Sequence, residues 1–136
     1  MPDTERLVEA FIARTLPKRE WTHEAHLRVG LWHVLRYADS TALPLLRERI
    51  RAYNEATGVP NTETSGYHET ITRFYLHVIR RFVQSVDGSR PIDELAWSLI
   101  EQCGDRILPM RYYSRERLFS PGARAAWIEP DLAPLP

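Results

Sequence analysis

The sequence predicts an all-α protein: a single-domain bundle of about five main helices, with short C-terminal helices and an extended proline-rich tail. Three observations carry this. Apolar residues recur at helical spacing in five successive segments, and capping residues, glycines and prolines stand between those segments. Strand signal is scarce, since alternation is short and no Asn-Gly or Asp-Gly turn joins two β-rich runs. With 136 residues, 43% hydrophobic and 26% charged, the chain is long enough to bury one core, and its composition is that of a folded domain. The domain is expected to span residues 1–136, with 121–136 as a short helix and a tail packed on the body.

In order along the chain, Asp3 caps a first helix whose stripe is Leu7, Val8, Phe11 and Ile12, ending near Pro17. Thr22 caps a second, which runs to about Tyr37. A third lies between roughly 42 and 57, with Leu43, Leu46, Ile50 and Tyr53 on one side and Gly58 as terminator. The fourth begins near Ser65 and reaches about Val83. The fifth, "PIDELAWSLIEQC", has proline in its first turn and closes at Gly104. Ser114 and Ser120-Pro121 start two short helices, and "EPDLAPLP" cannot continue a helix.

Eighteen basic residues balance eighteen acidic ones. That argues against a general electrostatic hold on nucleic acid or an anionic membrane. No apolar run reaches the eighteen or so residues that cross a bilayer, and "MPDTERLVEAFIARTLPKRE" lacks the apolar centre of a signal peptide. A cytoplasmic protein is expected. Cys103 is the single cysteine, so neither an intrachain disulfide nor a thiolate cluster can form. No GxSxG, GxGxxG or Walker pattern occurs.

The chemistry concentrates in two stretches. In "WTHEAHLRVGLWHVLRY" (21–37), positions 23, 26, 30, 33 and 37 fall within roughly 80° of one another on a helix. They are His23, His26, Gly30, His33 and Tyr37, with Glu24, Arg28 and Arg36 on the opposite, solvent side. In "NTETSGYHETITRFYLHVIRRF" (61–82), His68, Ile71, Tyr75, Val78 and Phe82 repeat the same spacing, which leaves His77 exposed. If the two helices run parallel, His23, His26 and His68 converge. Neutral imidazoles then hold a divalent metal, zinc or iron first, with Glu69 or Glu63 as acid–base or further ligand. Tyr67, His33, Tyr112 and Arg115 are the candidates for contacting a small organic substrate. The expected protein is a metal-dependent enzyme, with hydrolysis and oxygen chemistry both open. The alternative is a non-catalytic ligand-binding or protein-interaction module whose histidines form a buried hydrogen-bond network. In that case the tail can dock on a partner chain, a homodimer included.

"WTHEAHL" (21–27), "SGYHETITRFYL" (65–76) and "YSRERLFSPGARAAWIEPDL" (113–132) together resemble a set of small bacterial proteins to which no established activity attaches. In architecture the chain is also similar to the DinB-like helical-bundle metalloproteins, which gather histidines from separate helices. It departs from them in having no HxxxH pair in a late helix, and its last histidine is His77. That likeness implies a bundle and a metal; it is analogy at the level of fold.

Overall fold

Capping side chains punctuate the chain much as the sequence implies. In the computed structural model, which describes residues 3–136, seven α-helices follow one another: α1 (Thr4–Ile12), α2 (His23–Arg36), α3 (Asp39–Ala56), α4 (Glu69–Ser85), α5 (Ile92–Cys103), α6 (Arg115–Leu118) and α7 (Pro121–Ala125). One-turn 3-10 helices sit at Lys18–Glu20 and Leu108–Arg111, and no strand occurs among the described residues. The side chains of Asp3, Thr22, Ser114 and Ser120 each accept a backbone N–H of the helix they precede, which satisfies donors that the first turn leaves unpaired. No helix is long and apolar enough to cross a membrane among the described residues.

Helix α2 is the centre of the bundle and packs against α1, α3, α4 and α5. Its apolar residues Leu27, Leu31 and Val34 join Val8, Phe11, Leu46, Tyr53, Ile79, Leu95 and Leu99 in one buried core. Burying a side chain of this size contributes about 1.5–3 kcal/mol each. Tyr53 is fully buried and donates its hydroxyl to the Leu16 carbonyl at 2.8 Å, so its polar end is satisfied. A second, smaller core joins Phe74, Val78, Tyr113 and Leu118 to the tail residues Trp127, Ile128 and Leu135. The tail lies along α4: Thr70 donates to the Ala126 carbonyl, Tyr113 to that of Ile128, and the Leu132 amide to that of Tyr112.

Several expectations are corrected by this packing. Helix α4 starts four residues later than Ser65, because residues 61–67 form a loop held by the Asn61 side chain. Helix α3 starts three residues before 42, at Asp39, and carries Pro44 within it. Arg28 does not face solvent; it is buried and donates to the Thr4 hydroxyl at 3.3 Å. His77 is half-buried and bonds the Pro136 carbonyl through Nε2.

Helices α2 and α4 run in the same sense. His23 meets the ring of Tyr75, Gly30 meets Ile79, and the Val34 carbonyl accepts from Arg80, so both numberings rise together. Gly30 is a point of close approach: a Cβ there would stand 2.7 Å from Ile79 Cδ1, inside van der Waals contact. Its role is therefore tight helix packing. Gly30→Val is expected to lower stability by about 1–3 kcal/mol through overpacking. An unchanged urea midpoint for that variant would show that the α2–α4 seam is looser than this contact implies.

Candidate functional site

The histidines and acids singled out in the sequence separate into three places. His23 and His26 line one groove, Tyr67, Glu63 and Glu69 line a different hollow, and His68 and His33 are tied into the body of the fold. Register explains the separation. His23 is level with Tyr75, and His68 lies seven residues before Tyr75, so about 10 Å of helix rise separates their levels. The parallel course of α2 and α4 is there, but the stagger carries His68 past the start of α2.

His68 serves as the N-cap of α4, so the helix begins about one turn later than the sequence pattern suggests. Its Nδ1 accepts the Ile71 amide at 3.1 Å, so the proton sits on Nε2, which donates to the Leu118 carbonyl at 2.7 Å. Both nitrogens are engaged. His33 is fully buried and equally engaged: Nδ1 donates to the Val29 carbonyl and Nε2 accepts from Arg49 at 2.8 Å. Burial lowers the pKa of His68, and it lowers that of His33 to about 4, against the raising effect of their carbonyl partners. Both rings are neutral.

The groove encloses about 340 Å³ between α2, α4, the end of α6 and the 106–110 segment. Its walls are mostly apolar: Trp21, Leu27, Ile71, Leu76, Ile79, Met110, Leu118 and Phe119. The polar groups on it are few. His26 stacks on Trp21 with ring centroids 3.8 Å apart and donates Nδ1–H to the Thr22 carbonyl, which leaves Nε2 as an acceptor. The desolvating surround of the ring lowers its pKa, although one side stays open to solvent along the groove. His23 meets Tyr75 edge-on at 5.6 Å. His23 Nε2 and Tyr75 Oη are buried and have no hydrogen-bond partner among the described residues. Burial, with the nearby Arg106 charge, lowers the His23 pKa, and burial pushes the Tyr75 phenol up to about 12. A neutral imidazole and a protonated phenol thus meet in an apolar wall, with the Arg106 guanidinium beside them. The groove lining contains no carboxylate.

Glu69 is not on this groove. Arg47 donates to both of its oxygens, at 2.9 and 2.8 Å, and the Tyr67 hydroxyl donates to Oε1 at 2.8 Å. Burial raises the Glu69 pKa, but these hydrogen bonds outweigh it and hold the carboxyl below its ordinary value. With its lone pairs committed, Glu69 is an ion-pair anchor in this structure. Glu63 is exposed on the neighbouring loop. Tyr112 packs against Phe74 and Arg115 lies over the Phe119 ring, neither of them on the groove. No group of three or more His, Cys, Asp or Glu side chains is placed to hold a metal ion among the described residues.

Tyr75 and Arg106 were not among the sequence-derived site residues. Tyr75 was legible as a hydroxyl on the inward stripe of the fourth helix. Arg106 had no signal, because it enters from a loop. No protein-family model, curated protein or solved structure matches the chain. The motif likeness therefore stands on residues 21–27, 65–76 and 113–132 by themselves.

Proposed function

We propose that this protein binds a small, largely apolar organic molecule in the groove between α2 and α4, with His23 Nε2 and Tyr75 Oη as its polar anchors. The observation that carries this reading is the pair of buried, unpartnered polar atoms in an otherwise apolar wall. Leaving a buried donor or acceptor unpaired costs about 1–3 kcal/mol, so two together are poor for stability and well suited to a guest that pairs with them. Apolar walls with a few convergent polar groups are also the usual make-up of small-molecule sites. Tyr75 can only donate while its phenol stays protonated, and the neutral imidazole can donate or accept. A carbonyl, hydroxyl or carboxylate head group answers both, and Arg106 favours the anionic form.

Titration of the protein with acetophenone and with benzoate, followed by amide NMR shifts at Gly30, Thr72 and Tyr75, tests the site. Tyr75→Phe is expected to weaken the better ligand about tenfold, the value of one good hydrogen bond to a buried head group. The same variant should melt at or above the wild-type temperature, because it deletes an unpaired hydroxyl. Equal affinity in wild type, Tyr75→Phe and His23→Ala would remove the anchors and with them the reading.

A second reading, metal-dependent catalysis, draws support from one observation: His23 and His26 share the groove and both rings are neutral. A zinc or iron ion on their Nε2 atoms would have two protein imidazoles and open positions. Glu69 and Glu63 would lie outside it, so any base must come from elsewhere. Elemental mass spectrometry separates the readings. About one metal per chain that is lost in His23→Ala and His26→Ala, but kept in His68→Ala, favours the metal; metal-free protein that binds acetophenone or benzoate favours the first reading.

A further inference from the structure

A hollow of about 350 Å³ opens between α3, the 61–67 loop and α7, away from the groove. Its charged lining comes from Arg47, Arg51, Glu63, Glu69 and Arg124. Arg47 and Glu69 neutralise one another through two hydrogen bonds, so they leave little field behind. Arg124 uses Nη1 on the Gly66 and Tyr67 carbonyls, at 2.7 and 3.4 Å, which fixes its guanidinium against the loop. Arg51 has no side-chain partner among the described residues. The Thr62 hydroxyl accepts the Thr64 amide and keeps its own proton to donate.

The loop that carries these donors is held in one shape. Asn61 Oδ1 accepts from both the Tyr67 amide and the Asn54 side chain, and Asn61 Nδ2 donates to the Arg51 carbonyl. Gly66, at φ +78, leaves no room for a Cβ, which would stand 2.5 Å from the Pro60 carbonyl oxygen. So two guanidiniums and a hydroxyl face a hollow whose single unpaired carboxylate is Glu63, exposed at the rim. Guanidinium groups match oxyanions in geometry and charge. The volume is on the order of ten waters, more than a bare ion needs.

We infer that this hollow is a second, oxyanion-binding site, with Arg51, Arg124 and Thr62 as its donors and a small phosphorylated or carboxylated molecule as its ligand. It is separate from the groove, whose walls are mostly apolar and whose single guanidinium is that of Arg106. Glu63 then acts as a selectivity element, opposing anions until they are held by both arginines.

The test is amide NMR titration of the full chain with inorganic phosphate, glycerol 2-phosphate and succinate at fixed ionic strength, following Arg51, Thr62, Gly66 and Arg124. Saturable shifts with the two phosphates identify a phosphoryl site, and saturable shifts with succinate alone identify a carboxylate site. Arg51→Gln is expected to weaken the responding ligand about tenfold, as loss of one charge-assisted hydrogen bond does. Glu63→Gln should strengthen it about two- to fivefold by removing an opposing charge. Tyr75→Phe, on the groove, should leave it unchanged. No saturable shift with any of the three probes, or shifts indifferent to both Arg51→Gln and Glu63→Gln, would overturn the inference.

Discussion

His68→Ala is expected to lower the unfolding free energy by about 2–4 kcal/mol while leaving the shape of the groove largely in place. Two losses add. Removing an N-cap acceptor costs roughly 1 kcal/mol, and the Ile71 amide then has no side-chain partner. The Leu118 carbonyl also loses its donor in a buried setting, which costs about 1–3 kcal/mol. His68→Asn separates the two, since asparagine is a good cap but is too short to reach Leu118. It should recover roughly the cap's share. Urea unfolding of the three proteins measures this directly. If His68 were instead a ligand-binding group held in place by its neighbours, His68→Ala would cost well under about 1 kcal/mol. The result therefore decides between a strut and a site.

Acid should destabilise the protein well above the range where carboxylates titrate. The folded pKa of His33 lies at about 4, below the ordinary 6.5, chiefly because burial disfavours the charged ring. Those of His23 and His68 are lowered too. Wherever the unfolded chain binds more protons than the native one, stability rises with pH. A lowered histidine pKa thus contributes stability that is full above about pH 6.5 and is lost as pH falls towards the folded value. For His33, with a fully buried side chain, a shift of this size corresponds to about 3 kcal/mol across the window. Protonation would also place a cation against the Arg49 guanidinium that His33 Nε2 now accepts from. Glu69 has the opposite charge but the same sense of pH effect, and its loss begins only below its ordinary 4.5. The interval between about pH 6.5 and 4.5 consequently belongs to the histidines. Urea midpoints across it should fall steadily in the wild type. His33→Gln should begin from a lower plateau and fall less steeply. A flat profile in the wild type would mean that these rings are less desolvated than their packing indicates.

Much of the helical layout was legible because capping is local. Asp3, Thr22, Ser114 and Ser120 each precede their helix by one residue and bond within it, so the sequence carries the whole interaction. The start of α4 was not legible, because its cap is a histidine and its preceding loop is organised by Asn61, which reaches back to α3. Helical periodicity put Arg28 on the solvent side. Its partner, Thr4, belongs to another helix, and no pattern within 21–37 encodes that contact. The site divides along the same line. That His23 and His26 share one face of α2 follows from their spacing along it, whereas whether His68 joins them depends on the stagger between two helices. That stagger is seen in the contacts of Gly30 with Ile79 and of His23 with Tyr75, which belong to tertiary packing.

Trp21 gives the groove a built-in optical probe. Its indole stacks on Phe11 at 4.6 Å on the core side and on His26 at 3.8 Å, and the same indole forms part of the groove wall. Whatever enters the groove or puts a proton on His26 changes the surroundings of an emitting ring. Trp97, by contrast, is solvent-exposed on α5 and supplies a constant background. With Trp32, Trp97 and Trp127 each replaced by phenylalanine, emission from Trp21 can report both the titration of the neighbouring imidazole and the arrival of a ligand, with no label added to the chain.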